Sequence, residues 1–115
     1  MLDNAEECAI SLDHGAPATD PDARLKAERV QLYLAELPGW KLAEDGGAIL
    51  RVFRFSGSGS PLLFAALVGV LAGEAGQQPV VTVTGETVIC QLTTPEVGGV
   101  TLRDVALAGK ISLLE

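Results

Sequence analysis

Histidine is nearly absent from this chain of 115 residues, which holds only His14, in a polar and acidic N-terminal stretch. Histidine is the side chain whose ordinary pKa, about 6.5, suits proton transfer near neutral pH. Because its surroundings are polar, we interpret His14 as a solvated residue with no role in chemistry.

Cysteine is also scarce, since Cys8 and Cys90 are the only two in the sequence. They have no cysteine or histidine near them at a spacing typical of zinc ligands. Cys90 is interpreted as a small apolar strand residue. Acyl-transfer, phosphate-loop and dinucleotide-binding signatures are missing as well. The sequence therefore predicts no metal site, no cofactor and no disulfide framework, which is typical of a reducing compartment.

Long apolar runs are absent, because the longest, residues 61–72, is too short to span a bilayer. The N-terminus lacks the basic and apolar regions of a secretory signal. We expect a cytoplasmic protein without a membrane partner. With 48% apolar residues, the chain is long enough for one domain with a modest core.

Basic residues are missing from residues 1–22, although the whole chain has eight. The same stretch has six of the fifteen acids, so residues 23–115 carry a charge of only −1 out of the total of −7. The net charge of −7 argues against a nucleic-acid partner. We expect residues 1–20 to be a disordered acidic leader and residues 21–115 to form the domain. The leader either keeps the domain soluble or steers it to a basic partner, or it has no role.

Apolar periodicity and turn residues predict the order helix, two strands, helix, two strands, helix. This order is typical of an α+β fold in which three helices cover one face of a four-stranded antiparallel sheet. The predicted elements are a helix over residues 21–36, a hairpin of 40–43 with 48–55, a helix over 61–76, a hairpin of 80–84 with 87–93, and a helix over 102–113.

The second helix is apolar nearly all the way round, and one sheet face cannot bury all of it. Leu50 and Val52 add apolar surface on the outer face of the sheet, beside Arg54. Such an excess predicts a second burial partner. A homodimer and a surface that binds a client protein are both open.

Several short stretches follow one another in an order that is typical of a known family. Together they resemble the pterin-4a-carbinolamine dehydratases from residue 34 onwards, and the resemblance also implies association between copies of the chain. The stretches are Leu37-Pro38-Gly39-Trp40, the alternating Ile49, Arg51, Phe53 and Phe55, then Leu92-Thr93-Thr94, and finally Thr101, Asp104, Leu107 and Ala108.

The resemblance implies a site motif of His-His-Pro, an aromatic residue, a third histidine and an aspartate. Counted without a gap, those positions hold Gln77-Gln78-Pro79, Gly85, Pro95 and Asp104, so only Pro79 and Asp104 match. Glutamine can bind a ligand but cannot shuttle a proton near neutral pH. Two plainer interpretations stay open: residues 76–79 as a polar loop between a helix and a strand, and Asp104 as a helix-capping acid.

The family's dehydratases remove a hydroxyl from a reduced pterin with the help of these histidines. General acid–base catalysis contributes about 10²- to 10⁴-fold per group, so a chain without all three histidines is expected not to be an enzyme. Dehydratase-like proteins that lack them are encoded beside bacterial α-carboxysome genes and are regarded as RuBisCO assembly factors. This chain is similar to them.

That similarity implies the RuBisCO large subunit as the partner and a location in the bacterial cytoplasm, in association with the carboxysome. We place the client-binding surface at Leu50, Val52 and Arg54, with Gln77 and Gln78 at its rim. Two alternatives remain. The glutamines could hold a pterin while water carries protons in a residual dehydratase, or the fold could serve as a dimeric coregulator of another protein.

Overall fold

The computed structural model describes residues 20–56 and 59–115. Residues 1–19, with His14 and Cys8, lie outside the described residues, and so does nearly all of the expected leader. Three helices and four strands form the fold, in the predicted order. They are α1 (Ala27–Leu34), β1 (Lys41–Leu42), β2 (Ile49–Arg54), α2 (Pro61–Ala75), β3 (Val80–Thr84), β4 (Thr87–Leu92), a 3₁₀ turn (Pro95–Val97) and α3 (Leu102–Ser112).

The strands form one antiparallel sheet in the order β1-β2-β4-β3. Both predicted hairpins are present, and the two inner strands pair along their whole length, from Ile49 opposite Leu92 to Arg54 opposite Thr87. Side chains alternate between the faces of a strand, so this register fixes which residues point to the helices. The predicted α+β architecture is confirmed.

The core lies between the inner face of the sheet and the three helices. Phe53 is at its centre and contacts the rings of Trp40 and Phe64, at centroid distances of 6.2 and 4.6 Å. Close packing of this kind makes burial the main source of stability. The other buried apolar residues include Ile49, Val88, Cys90 and Leu92 of the sheet, Val68 and Ala72 of α2, and Leu107, Ala108 and Ile111 of α3.

Both ends of α2 follow from local sequence. The Ser60 hydroxyl accepts a hydrogen bond of 3.2 Å from the Leu63 amide, and Pro61 occupies the first turn. Gly76 ends the helix in the left-handed region, at φ 71°, where glycine is favoured. The helix predicted over residues 61–76 is therefore confirmed.

The predicted start of the first helix is wrong by six residues, since α1 begins at Ala27 rather than at residue 21. The Asp20 carboxylate instead accepts from the Asp22 amide at 2.9 Å and closes a turn. Further on, the Leu25 amide donates to the Val100 carbonyl at 2.7 Å. The segment before α1 is therefore held against the chain that leads into α3.

Apolar side chains remain exposed on α2. They are Leu62, Leu63, Leu67 and Val70, and the exposed fraction of Leu62 reaches 72%. No described helix is long and apolar enough to cross a membrane. The apolar excess predicted for this helix is thus at the surface of the single chain.

Candidate functional site

A buried polar cluster lies where three elements meet. Gln77 follows α2, Thr94 follows β4, and Asp104 belongs to the first turn of α3, which Thr101 caps. Thr94, Thr101 and Asp104 are buried, with exposed fractions of 8%, 0% and 0%. We call these four residues the Asp104 cluster.

The start of α3 explains why Asp104 is here. Its Oδ2 accepts a hydrogen bond of 2.9 Å from the Thr101 amide, and the Thr101 hydroxyl accepts from the Arg103 amide at 3.2 Å. This is a capping box, in which a carboxylate also faces the positive end of the helix dipole. The capping role predicted for Asp104 is confirmed.

Side chains supply the remaining donors to the carboxylate. Gln77 Nε2 donates to Asp104 Oδ1 at 2.7 Å and reaches Thr94 Oγ1 at 3.3 Å. Thr94 Oγ1 donates to Asp104 Oδ2 at 2.8 Å. Since a buried charge is costly without partners, these bonds are what make a carboxylate tolerable here.

The direction of the bond between the two threonines follows from counting hydrogens. The hydroxyls of Thr94 and Thr101 lie 3.0 Å apart, and either could donate. A threonine hydroxyl has one hydrogen, and that of Thr94 goes to Asp104, so Thr101 is the donor. The Thr94 oxygen then accepts from both Thr101 and Gln77, which fills its capacity.

Chemically, the cluster can form hydrogen bonds to a ligand, but it has few groups that could transfer a proton near neutral pH. Asp104 is its only ionisable side chain, and both of its oxygens already accept hydrogen bonds inside the protein. The Gln77 amide does not titrate near neutral pH. No histidine occurs in the part of the chain that the structure describes.

The other motif positions lie outside this cluster. Gln78 is exposed, and Pro95 is an exposed residue that opens the 3₁₀ turn next to Thr94. Gly85 is in the turn between β3 and β4, at the far end of the strand that starts after Pro79. Five strand residues span about 17 Å, so the structure does not bring Gly85 to Asp104.

Thr94 and Thr101 were not predicted as site residues, although both contribute to the family resemblance. A signal was present, since Thr94 and Thr101 flank a short loop with two glycines, which brings their backbones together. The loop closes through a pair of hydrogen bonds between Thr94 and Gly99. A turn of this kind predicts that the two hydroxyls share one face.

The proposed partner surface lies elsewhere, on the outer face of the sheet. Val52 and Arg54 are exposed there, and Leu50 is half-buried. Gln77 is engaged with Asp104, which leaves Gln78 as the open residue of the expected rim.

A cavity of about 270 Å³ opens at the N-terminal end of α2, opposite to the Asp104 cluster. Its lining residues are three phenylalanines, Arg54, Leu114 and Glu115. Among residues 20–56 and 59–115, no group of three or more His, Cys, Asp or Glu side chains is placed to hold a metal ion.

Comparison with known proteins identifies the fold's family. The model of the pterin 4 alpha carbinolamine dehydratase family matches residues 23–114. The chain belongs to this family. The matched range contains all four residues of the Asp104 cluster, so the cluster lies within the dehydratase-family domain.

Relatives in bacteria cover nearly the same length. A protein of Thermomicrobium roseum that carries the name pterin-4-alpha-carbinolamine dehydratase is 38% identical over 92 residues, which is 80% of this chain and 97% of the relative. One of the same name from Chlorobaculum tepidum is 34% identical over 103 residues, 88% of this chain and 93% of the relative.

A solved structure shows the same architecture. It is described as a transcriptional coactivator/pterin dehydratase from Brucella melitensis, is 26% identical, and has a TM-score of 0.74. The match covers 80% of this chain and 98% of that one. The α+β arrangement is therefore that of the dehydratase family.

Proposed function

We propose that this chain is a non-catalytic, protein-binding member of the dehydratase family. The observation that carries the proposal is the hydrogen bond from the Gln77 amide to Asp104. The group beside the buried acid cannot exchange a proton near neutral pH, and Gln78 beside it is again an amide. A site of this composition favours holding over turnover.

The client that we propose is the RuBisCO large subunit, with the chain acting as an assembly factor in bacteria with α-carboxysomes. The support is the resemblance to dehydratase-like assembly factors together with the apolar excess at the surface. An assembly factor needs a reversible, moderately apolar site. Leu50, Val52 and Arg54, on the face of the sheet away from the helices, supply such a surface.

Refolding of the RuBisCO large subunit tests this function directly. The denatured subunit is diluted with and without the chain, and light scattering and recovered carboxylase activity are followed. We expect lower scattering and higher recovery, and we expect the pair Leu50→Ser and Val52→Ser to abolish both.

The matched control is the pair Leu32→Ser and Leu113→Ser, since these leucines are 68% and 85% exposed on α1 and just after α3. No protection at a tenfold excess would overturn the RuBisCO assignment. Full protection by the Leu50 and Val52 variant would overturn only the surface.

A residual pterin dehydratase is the second candidate, and the names carried by the relatives favour it. Dehydration of a pterin carbinolamine by the natural chain would overturn the non-catalytic proposal. Activity that appears only in the variant with Gln77→His, Gln78→His and Pro95→His would support the non-catalytic proposal. It would show that the natural chain lacks only the groups that transfer protons.

A dimeric coregulator is the third candidate, and it is favoured by the words transcriptional coactivator in the name of the Brucella melitensis protein. It needs a second copy to cover apolar surface, and α2 supplies that surface through Leu62, Leu63 and Val70. The gene neighbourhood separates the candidates. RuBisCO and shell-protein genes favour the assembly factor, and aromatic hydroxylase genes favour the enzyme.

A further inference from the structure

The outer face of the sheet is ordered in three rows of side chains. In each row, residues of β2, β4 and β3 lie side by side and point the same way, because directly paired antiparallel residues share a face. The rows are Leu50, Gln91 and Val80, then Val52, Ile89 and Thr82, and finally Arg54, Thr87 and Thr84. Lys41 of β1 extends the first row beside Leu50.

The charge of this face has one sign. None of the four strands contains an acidic residue, and among their residues the charged side chains on the outer face are Lys41 and Arg54. By contrast, Arg51, which is the remaining cation of the strands, points to the helices and pairs with Glu115 at 2.7 Å. The whole chain has a net charge of −7, so the face is a cationic region on an acidic protein.

The two outer cations have no carboxylate partner in residues 20–56 and 59–115. The nearest acids along the chain are in the hairpin turns. Asp45, next to Glu44, uses its carboxylate to accept from the Gly47 amide, and Glu86 lies in the turn between β3 and β4. The positive charge of the face is therefore not neutralised within the described fold.

The middle of the face is apolar and partly exposed. Val52 and Val80 keep 40% and 55% of their surface open, and Ile89, beside Val52 in the same row, is half-buried. The helices lie on the other face of the sheet. A second copy docked through the same face would add two cations and no carboxylate, so charge does not favour self-pairing here.

We propose that this face binds a segment of another protein that combines apolar side chains with carboxylates. The valines and Ile89 contact its apolar residues, while Lys41 and Arg54 pair with its acids. This inference deepens the proposed function, because it gives the chemistry of the segment that the client-binding surface recognises.

The geometry also fixes a spacing. Arg54 is four positions after Leu50 on β2, so their two rows lie about 14 Å apart along the strand. Two carboxylates that reach both cations are then about four residues apart in an extended segment. In a helical segment they are about seven residues apart, because two full turns return both carboxylates to one side of the helix, about 11 Å from each other.

Three synthetic peptides of equal length test the inference on the full chain. The first combines leucines with two glutamates at the helical spacing, the second has glutamine for glutamate, and the third has serine for leucine. Binding is followed by amide chemical shifts of the isotope-labelled protein. We expect the first peptide alone to bind, with shifts confined to the four strands of the sheet and an affinity that falls with added salt.

Charge reversal separates the face from the rest of the surface. Arg54→Glu is expected to weaken binding of the first peptide by roughly tenfold, because it replaces an attraction between opposite charges with a repulsion between like charges. Lys110→Glu is the matched control, because it makes the same change at an exposed site on α3 and leaves the face intact.

Equal binding of the first two peptides, shifts outside the sheet, or equal affinity of both variants would each overturn the inference. These outcomes are separable from the proposed function. If the Arg54→Glu variant still protects RuBisCO and the natural chain binds no peptide, the assembly-factor function is supported and the inference of an acidic segment is overturned. If the first peptide binds and RuBisCO is not protected, the inference of an acidic segment is supported and the RuBisCO assignment is overturned.

Discussion

The side-chain amide of Gln77 donates a 2.7 Å hydrogen bond to Oδ1 of Asp104, a carboxylate with no exposed surface. Through this one contact, the chain that follows α2 is tied to the first turn of α3. Gln77, on which the non-catalytic proposal rests, is thus also a structural link.

Replacing Gln77 with leucine should lower the free energy of unfolding by about 1–2 kcal/mol, because one oxygen of a buried carboxylate loses its donor. Urea denaturation measures this. Gln78→Leu is the matched control, since Gln78 is exposed and an exposed substitution changes stability by about 0.5 kcal/mol or less. Equal losses in the two variants would contradict the link.

Removing the acid should cost more than removing the amide. Asp104→Ala leaves the Thr101 amide, the Thr94 hydroxyl and the Gln77 amide without their acceptor, and we expect a loss of about 2–4 kcal/mol in the free energy of unfolding.

Asp45→Ala is the comparison for this variant. Asp45 also accepts a bond from a backbone amide, that of Gly47 at 2.8 Å, but it does so at the surface. Its loss should stay below about 1 kcal/mol. If Asp45→Ala lowered the free energy of unfolding as much as Asp104→Ala does, burial of the carboxylate would not be the cause of the larger loss expected at Asp104.

The exposed face of α2 should join two copies of the chain. Leu63 and Val70 are two turns apart on this helix and are 61% and 58% exposed. The double variant Leu63→Glu and Val70→Glu should be monomeric where the natural chain is a dimer, as measured by light scattering after gel filtration.

The control for the dimer is the pair Leu32→Glu and Leu113→Glu. It adds the same two negative charges at exposed apolar residues that lie outside α2. It should leave the mass unchanged. A natural chain that is monomeric at all accessible concentrations would remove α2 as a self-association surface.

The Cys90 thiol should make stability fall at alkaline pH. Burial raises its pKa from the ordinary 9.0 to about 11, while the charge of Arg51 acts weakly in the opposite direction. Between these values the unfolded chain loses the thiol proton and the folded chain keeps it. The free energy of unfolding therefore decreases as the pH rises from 9 to about 11.

Two pKa units correspond to roughly 3 kcal/mol at most. Urea midpoints at several pH values measure the decrease, and Cys90→Ala is the control because it removes the thiol and leaves every other side chain in place. The natural chain should lose more stability across the window than the variant. Parallel profiles would contradict the raised pKa.

The sequence was most informative where local rules decide the structure. The helix predicted over residues 61–76 has both of its ends set by Ser60 with Pro61 and by Gly76, because caps act within one turn. Periodicity of two predicted which residues of β2 face the core, and Ile49 and Phe53 are buried as expected.

Prediction failed where a distant partner decides. Asp20 and Pro21 are typical of a helix start, but the bond from Leu25 to Val100 holds this segment away from α1. Only part of the Asp104 cluster was predicted, for the same reason. Asp104 was predicted as a cap from its own turn, whereas its bonds to Thr94 and Gln77 depend on where β4 and α2 end.

The ladder between β2 and β4 has a consequence for how fast the protein folds. Each hairpin pairs neighbours in the chain, but this central ladder, from Ile49 with Leu92 to Arg54 with Thr87, closes a loop that contains all of α2 and β3. The entropy of closing that loop is lost before the ladder returns any stability. We therefore expect the meeting of the two hairpins to limit the folding rate, and a longer segment between them to slow folding.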